Sequence, residues 1–174
     1  MSCIFKNDDD GKQRAVLEFK REELLYDIKN RAFINGNIIQ DDKHLQHWMQ
    51  DIGEEGNIDV ITRVLSRCHA KCKEMLFPYT KKDIKHGEID NLLKNHDIYL
   101  IVLSLPEDFS QTTLDLLSKC IHDYMVYQAI YEWANMINWP NAEVWAIKAN
   151  EAMEDAKDSL RHRLKIMRRK QHLF

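Results

Sequence analysis

The chain has 174 residues, enough for one compact domain, and 44% of them are apolar, which is sufficient for a core. No apolar run approaches the roughly 20 residues that span a bilayer, and the first residues form no hydrophobic signal core. We therefore expect a soluble protein made in a cytoplasm, whose four cysteines are reduced thiols.

The charge is unevenly distributed along the chain. The formal net charge is -3, but residues 161–174 contain six Lys or Arg and no Asp or Glu, which leaves -9 for residues 1–160. An acidic body with a basic end favours contact between oppositely charged surfaces of subunits, or contact with a polyanion.

The start of the chain is polar and contains three consecutive aspartates. We predict a flexible N-terminal arm over residues 1–20, within which residues 14–19 are compatible with a short extended piece. From Arg21 onward, apolar side chains recur three and four residues apart after an acidic first turn. This pattern predicts an amphipathic helix that ends near Asn35 and Gly36.

The next segment carries a second and a third helix. Residues 41–52 are compatible with a short helix, and the glycine pair of residues 53–56 predicts a loop. Asn57 is then expected to cap a longer helix that Pro78 stops, whereas residues 81–95 have no clear pattern. The apolar side of the longer helix consists of Ile61, Val64, Leu65, Cys68, Cys72, Met75 and Leu76.

Residues 98–105 form a short apolar, β-favouring run that Pro106 closes, so a strand is predicted there. A lone strand leaves its backbone groups unpaired and therefore needs a partner. Residues 14–19, part of residues 81–90 and a neighbouring subunit are the three alternatives.

Two long helices are predicted to complete the fold. Ser110 is placed to cap the first, whose apolar residues cover much of its circumference, as in the centre of a bundle. Residues 138–141 contain Pro140 and break the pattern, after which a last helix begins. Its apolar side, which is rich in alanine and permits close helix packing, consists of Trp145, Ala149, Ala152, Met153, Ala156, Leu160 and Leu164.

The predicted fold class is therefore mainly α: a helical bundle with a long C-terminal helical hairpin and one or two short strands. Residues 21–160 form the bundle domain, and residues 161–174 form a basic C-terminal tail. The three tryptophans around Pro140 are expected to form the hydrophobic end of the hairpin, and the alternative is that one is exposed as an interface anchor: Trp133, Trp139 and Trp145.

Candidate metal ligands are present, but none has the spacing of a known site. Cys68 and Cys72 share one face of a predicted helix, whereas structural zinc needs four ligands. We interpret them as small buried core residues. His44 and His47 lie one turn apart beside Asp41, Asp42 and Asp51. Their default interpretation is a solvated helix edge, and a weak metal site is the alternative.

Two His-Asp dipeptides, His96-Asp97 and His122-Asp123, invite comparison with helical metal-dependent phosphohydrolases, which need further His and Asp ligands. Such a hydrolase is one alternative function. The chain contains no phosphate-cradling glycine motif, and its five glycines are scattered. We expect no catalytic residue, no cofactor and no bound metal.

The basic tail has three interpretations: an assembly arm that docks on an acidic partner, a nucleic-acid contact that neutralises phosphates, and a solvated helix end. The second of these gives the other alternative function, a nucleic-acid-binding accessory protein. The partner-binding candidates are Arg161, Arg163, Lys165, Arg168, Arg169, Lys170, Leu173 and Phe174.

The second half of the chain resembles a known kind of protein in the order of its features. After the apolar run of residues 98–105 come Phe109-Ser110-Gln111-Thr112-Thr113 at the start of a long helix, then His122-Asp123-Tyr124-Met125-Val126-Tyr127 and Tyr131-Glu132-Trp133 within it. Pro140, Trp145 and the arginine-rich end follow. This layout, over roughly residues 98–169, is similar to head–tail connector (adaptor, neck ring) proteins of tailed bacteriophages and prophages of Bacteroidota.

The resemblance implies a virion structural protein that is not an enzyme. It implies a ring of about twelve copies beneath the portal, closed by heterologous contacts. In such families a C-terminal helix or tail grips the portal, and residues 164–174 would take that part. Portal, tail and neck proteins are the implied partners, with DNA passing through the ring, and no membrane is involved.

Overall fold

A computed structural model describes residues 6–7, 13–38, 43–80, 96–105 and 109–160. The protein is mainly α-helical with a small antiparallel sheet, which confirms the predicted fold class. None of the helices in these ranges combines the length and the apolar composition needed to cross a bilayer. Residues 39–42, 81–95 and 161–174, with the predictions that fall on them, lie outside the described part of the chain.

The sheet joins a strand near the start of the chain to a strand in its middle. Strand β2 (Gln13–Lys20) pairs antiparallel with β3 (Ile98–Leu105), and the two-residue β1 (Lys6–Asn7) pairs with the start of β2. The register runs from Gln13 opposite Leu105 to Lys20 opposite Ile98. Three partners were considered for the strand at residues 98–105. The observed partner is the segment that includes residues 14–19.

The prediction of a flexible N-terminal arm over residues 1–20 is wrong for residues 13–20, which form strand β2. Side chains alternate along β2, and the inward set is fully buried: Ala15, Leu17 and Phe19. Residues 13–20 are therefore an integral strand of the core, because one face of the pleat is apolar and needs cover from the helices.

Helix α1 (Arg21–Gly36) follows β2 directly and ends at the predicted residue. The short helix expected over residues 41–52 appears as α2 (Lys43–Gln50), followed by a single 3₁₀ turn (Asp51–Gly53).

Helix α3 spans Glu55–Met75, so the predicted cap at Asn57 is wrong, and Gly56 lies in the helix rather than in a loop. The Asn57 amide donates instead to the carbonyl oxygen of Asp51 at 2.8 Å. Pro78 does not stop α3 either: the helix has ended at Met75, and Pro78 lies in the first turn of the short α4 (Phe77–Thr80), where proline is tolerated.

The hairpin consists of α5 (Gln111–Met136) and α6 (Glu143–Ser159), and it makes the most extensive helix packing in the described residues. Ser110 occupies the predicted cap position with an extended backbone, and its carbonyl accepts from Leu114, but its side chain makes no capping bond. Helix α5 is buried on most of its circumference, as predicted for a central helix. The alanines of α6 that face it are buried: Ala149, Ala152 and Ala156.

Candidate functional site

A cleft with a volume of about 560 Å³ lies between α1 and α5. Both helices contribute ionisable side chains because their polar flanks meet along this line. The lining residues are Glu22, Glu23, Tyr26, Asp27, Lys119, His122 and Asp123.

Ionisable groups at the edge of this cleft pair with one another across the two helices. The imidazole of His122 donates from Nε2 to Oδ2 of Asp27 at 2.8 Å, and the Arg31 guanidinium binds Oδ1 of Asp123 at 2.9 Å. Arg31 also donates to the Tyr127 hydroxyl at 2.7 Å and stacks on its ring. Asp27 and Arg31 are one turn apart, so one face of α1 supplies both contacts.

These contacts also show the surroundings of the His122-Asp123 dipeptide, which the sequence offered as a candidate metal-binding pair. The two side chains bind different residues of α1, so they do not converge as a shared ligand pair. The His122 side chain is only 12% exposed, while its partner Asp27 is 38% exposed. In the described residues, no three His, Cys, Asp or Glu side chains come close enough to hold a metal ion. The arrangement stabilises the contact between the two helices.

The remaining titratable candidates have structural surroundings. Cys68 and Cys72 are buried on α3, as predicted, and burial raises the pKa of Cys68 to about 12 and that of Cys72 further above its usual range. His69 contacts the carbonyl oxygen of Leu100, and His96 lies beside the Tyr99 ring. Because their pKa values are raised, the thiols of Cys68 and Cys72 are held in the unreactive protonated form.

A second candidate site lies at the closed end of the hairpin, where α5 turns into α6. Asn138 and Asn141 adopt left-handed backbone conformations, with φ of 52° and 60°, which Asn tolerates better than most residues. The Trp139 amide donates to the Ala134 carbonyl at 2.8 Å, which closes the end of α5. The turn is therefore held by backbone bonds.

The three tryptophans around this turn are buried, which confirms that they form the hydrophobic end of the hairpin rather than an exposed anchor. Trp133 donates from its indole nitrogen to the Trp48 carbonyl at 3.0 Å and so ties α5 to α2. Trp145 packs beside the Tyr127 ring and carries Lys148 over its own ring at 4.7 Å. Arg31 also stacks on the Tyr127 ring, so contacts between cations and rings connect α1, α5 and α6.

Two clefts flank Val144 at this end, with volumes of about 490 Å³ and 220 Å³. Both contain Trp139 and Asn141, and large apolar side chains beside them are exposed: Val144 at 46%, Ile147 at 56% and Ile38 at 71%. We name the exposed part of this end, formed by Ile38, Pro140, Val144 and Ile147, the hairpin-end surface. Its two members on α6 point away from the buried Trp145.

The sequence interpretation did not identify the hairpin-end surface. Its signal was present, because Val144 and Ile147 are three residues apart and lie off the Trp145–Ala149 stripe. The partner-binding residues predicted from the sequence, all within residues 161–174, lie outside the described part of the chain.

Comparison with known proteins gives no relative for this chain. No protein-family model matches it. No curated protein and no solved structure matches it either.

Proposed function

We propose that this protein is a structural, non-enzymatic virion component that joins the capsid portal to the tail as part of an oligomeric ring. The observation that supports an assembly role is the hairpin-end surface, where large apolar side chains are exposed around a turn held by buried tryptophans. Exposed apolar groups on a rigid support are typical of protein contacts.

The side-chain pairs between α1 and α5 also support a structural role. An enzyme site of the acid–base kind leaves ionisable groups directed at a substrate position. Here His122 is bonded to Asp27, and Arg31 to Asp123, across the helix interface. A scaffold that keeps its shape is a sufficient explanation for these pairs.

The particular role, a head–tail connector, rests on the resemblance in residues 98–169 and on the basic tail. The six Lys and Arg of residues 161–174 supply a cationic segment that suits an acidic surface on a portal protein. A portal or terminase gene beside the gene for this chain would agree with the proposal.

Deletion of the gene from its phage or prophage tests this role. We expect DNA-filled heads and separate tails in electron micrographs, with joined particles restored by the wild-type gene in trans. Complementation by a gene in which Arg161, Arg163, Arg168 and Arg169 are replaced by alanine should fail. Joined, infectious particles from the deletion strain would refute the proposal.

A nucleic-acid-binding accessory protein is the second candidate, because all the excess positive charge lies in one short segment. Affinity for duplex DNA would then fall steeply with salt, with the slope reduced by about 0.9 for each phosphate contact removed. The same four-alanine variant should lose most of that slope. A matched variant with four lysines of the acidic body replaced (Lys29, Lys43, Lys71, Lys119) should keep it.

A further inference from the structure

The cleft between α1 and α5 has an excess of negative charge. Its lining includes the cation Lys119 and four carboxylates: Glu22, Glu23, Asp27 and Asp123. Three of these carboxylates have a partner on the next turn or on the facing helix, whereas Glu22 has none in the part of the chain that the structure describes. With histidine counted as neutral, the carboxylates outnumber the cations even when Lys20 and Arg31, which pair with two of them, are included.

The acidic surface continues from the cleft towards α6, and apolar surface accompanies it. Burial raises the pKa of the Cys120 thiol, and Asp155 of α6 and Asp123 of α5 raise it further, so carboxylates of two helices lie near this thiol. The side chains of Tyr26 on α1 and Leu116 on α5 are exposed. A surface of this kind suits a segment that carries both cations and apolar side chains.

We propose that this cleft binds residues 161–174 of the same chain. The segment contains six Lys or Arg and no Asp or Glu, whereas residues 1–160 have a net charge of -9. Its cations meet the carboxylates at the rim of the cleft, and its apolar side chains meet the exposed Tyr26 and Leu116. The apolar residues of the segment are Leu164, Ile166, Met167, Leu173 and Phe174.

The fold brings the start of this segment close to the cleft. Helix α6 returns along α5 after a short turn, so Leu160 lies at the end of the hairpin where α5 begins. At about 1.5 Å per residue, Lys119 and His122 lie roughly 12 and 17 Å along α5 from its first residue, Gln111. Residues 161–174 reach up to about 45 Å when extended, which is enough to follow the cleft along its length.

Other occupants suit this cleft less well. An acidic protein surface and the phosphates of a nucleic acid have the same sign of charge as the rim. A metal ion has no convergent set of three ligands among the described residues. A basic segment of another molecule, a second copy included, competes with one that is covalently attached, whose effective concentration is on the order of millimolar. The attached segment is therefore the favoured occupant.

This inference goes beyond the proposed function, because it concerns the free chain before any partner binds. A partner with an acidic surface then competes with the cleft for the same cations, so docking of the segment on that partner begins with its release from the cleft.

Carbodiimide cross-linking of the full chain tests the contact, because this reagent joins a carboxylate to an amine that touches it. Trypsin releases residues 22–29 as one peptide, which contains three of the cleft carboxylates. The cross-linked tail lysines, Lys165 and Lys170, are then found in residues 164–168 and 170–174. We expect a product that joins residues 22–29 to either tail peptide at low salt, and a yield at least about fivefold lower at about 0.5 M salt.

Two variants test whether charge holds the segment in place. R161Q/R163Q/R168Q/R169Q keeps both reactive lysines but removes four charges, so the yield should fall at least about fivefold. Its control is R14Q/R63Q/R67Q/K71Q, which removes four charges from other exposed positions and should keep the yield.

On the cleft side, E22Q/E23Q leaves Asp27 as the reactive carboxylate of the same peptide, and its cross-link to the tail should weaken at least about threefold. E54Q/E55Q makes the same change at the start of α3 and should have no effect. Circular dichroism confirms that each variant is folded.

An equimolar mixture of unlabelled and nitrogen-15-labelled chains separates contacts within one chain from contacts between copies. We expect every product to join two peptides with the same label. The proposal is overturned by a wild type that gives no product with residues 22–29, by a product with mixed labels, which would seat the segment on a second copy, or by yields that the glutamine variants leave unchanged. The joining of heads to tails in the deletion strain does not enter these measurements, so the two proposals fail separately.

Discussion

The imidazole of His69 on α3 donates from Nε2 to the carbonyl oxygen of Leu100 on β3, at 2.9 Å, which fixes the sheet to the helical layer. A carbonyl oxygen only accepts, so Nε2 carries the proton in this contact. Burial lowers the pKa of His69 to about 4, and Lys73 and His96 act in the same direction.

The first prediction is a loss of stability in acid that depends on His69. In the unfolded chain the ring binds a proton near its ordinary pKa of 6.5, whereas the folded ring stays neutral until about pH 4. The contribution is therefore fully present above the unfolded pKa and is lost as pH falls from about 6.5 to 4. The loss is less than about 3 kcal/mol, because the ring is partly exposed and solvent screens part of the shift.

Urea unfolding at pH 7.5 and pH 4.5 measures this effect as a difference between variants. H69Q keeps a donor for the Leu100 carbonyl but does not titrate, so its free energy of unfolding should change less between the two pH values. Equal changes in H69Q and in the wild type would exclude His69 as the source.

The second prediction concerns the link between α1 and α5. R31M removes the pair with Asp123 and the bond to Tyr127 together, so we expect a loss of about 1–3 kcal/mol in the free energy of unfolding. R31K should lose an intermediate amount, because an ammonium does not reproduce the two-pronged contact.

Arg67 supplies the matched control, since it pairs with Glu132 on the surface at 3.3 Å and is more exposed than Arg31. R67M should cost about 0.5 kcal/mol or less in chemical denaturation. A loss in R67M as large as that in R31M would contradict the special role of the α1–α5 link.

The third prediction tests the close approach of the hairpin helices. Ala149 is fully buried where α6 packs on α5. A149L adds three carbons where there is no space for them, and it should lower the free energy of unfolding by about 1–3 kcal/mol or more. A70L, at an exposed position of α3, should stay within about 0.5 kcal/mol of the wild type. Thermal unfolding of the two variants measures this difference. An A149L variant as stable as the wild type would contradict the close packing of α6 on α5.

The fourth prediction concerns the turn between α5 and α6. Asn138 and Asn141 both have positive φ, so a β-branched residue is strained there whatever the space. N138V and N141V should each lose about 1–2 kcal/mol, while N138G and N141G should be close to neutral. Differential scanning calorimetry provides the ranking, and a valine variant as stable as the glycine variant would be inconsistent with the left-handed conformation.

The fifth prediction concerns the buried thiols. Because burial raises the pKa of Cys68 and Cys72, both should resist a disulfide reagent at pH 8 in the folded protein and react fully in denaturant. The C3S/C120S background isolates these two thiols. Reaction of either within the mixing time under native conditions would mean that the α3–α5 contact opens readily.

Several elements followed from the sequence because their cause is local. The end of α1 at Gly36, the strand at residues 98–105, the hairpin broken near Pro140 and the buried Cys68 and Cys72 all come from residue spacing within a single segment. A helix cap, in contrast, depends on contacts outside its own segment. Asn57 was assigned to a helix start, but its amide binds the Asp51 carbonyl, and nothing in the local pattern distinguishes these two partners.

The amino-acid sequence determined the helical class, the amphipathic stripes and the separation of charge, since periodicity and composition act over a few turns of chain. Only the tertiary structure decided that residues 13–20 pair with β3, that His122 binds Asp27 rather than its neighbour in sequence, and that Val144 and Ile147 remain exposed. The physical reason is that a strand edge, an imidazole or an apolar side chain accepts many partners of the same chemistry. The path of the whole chain selects one.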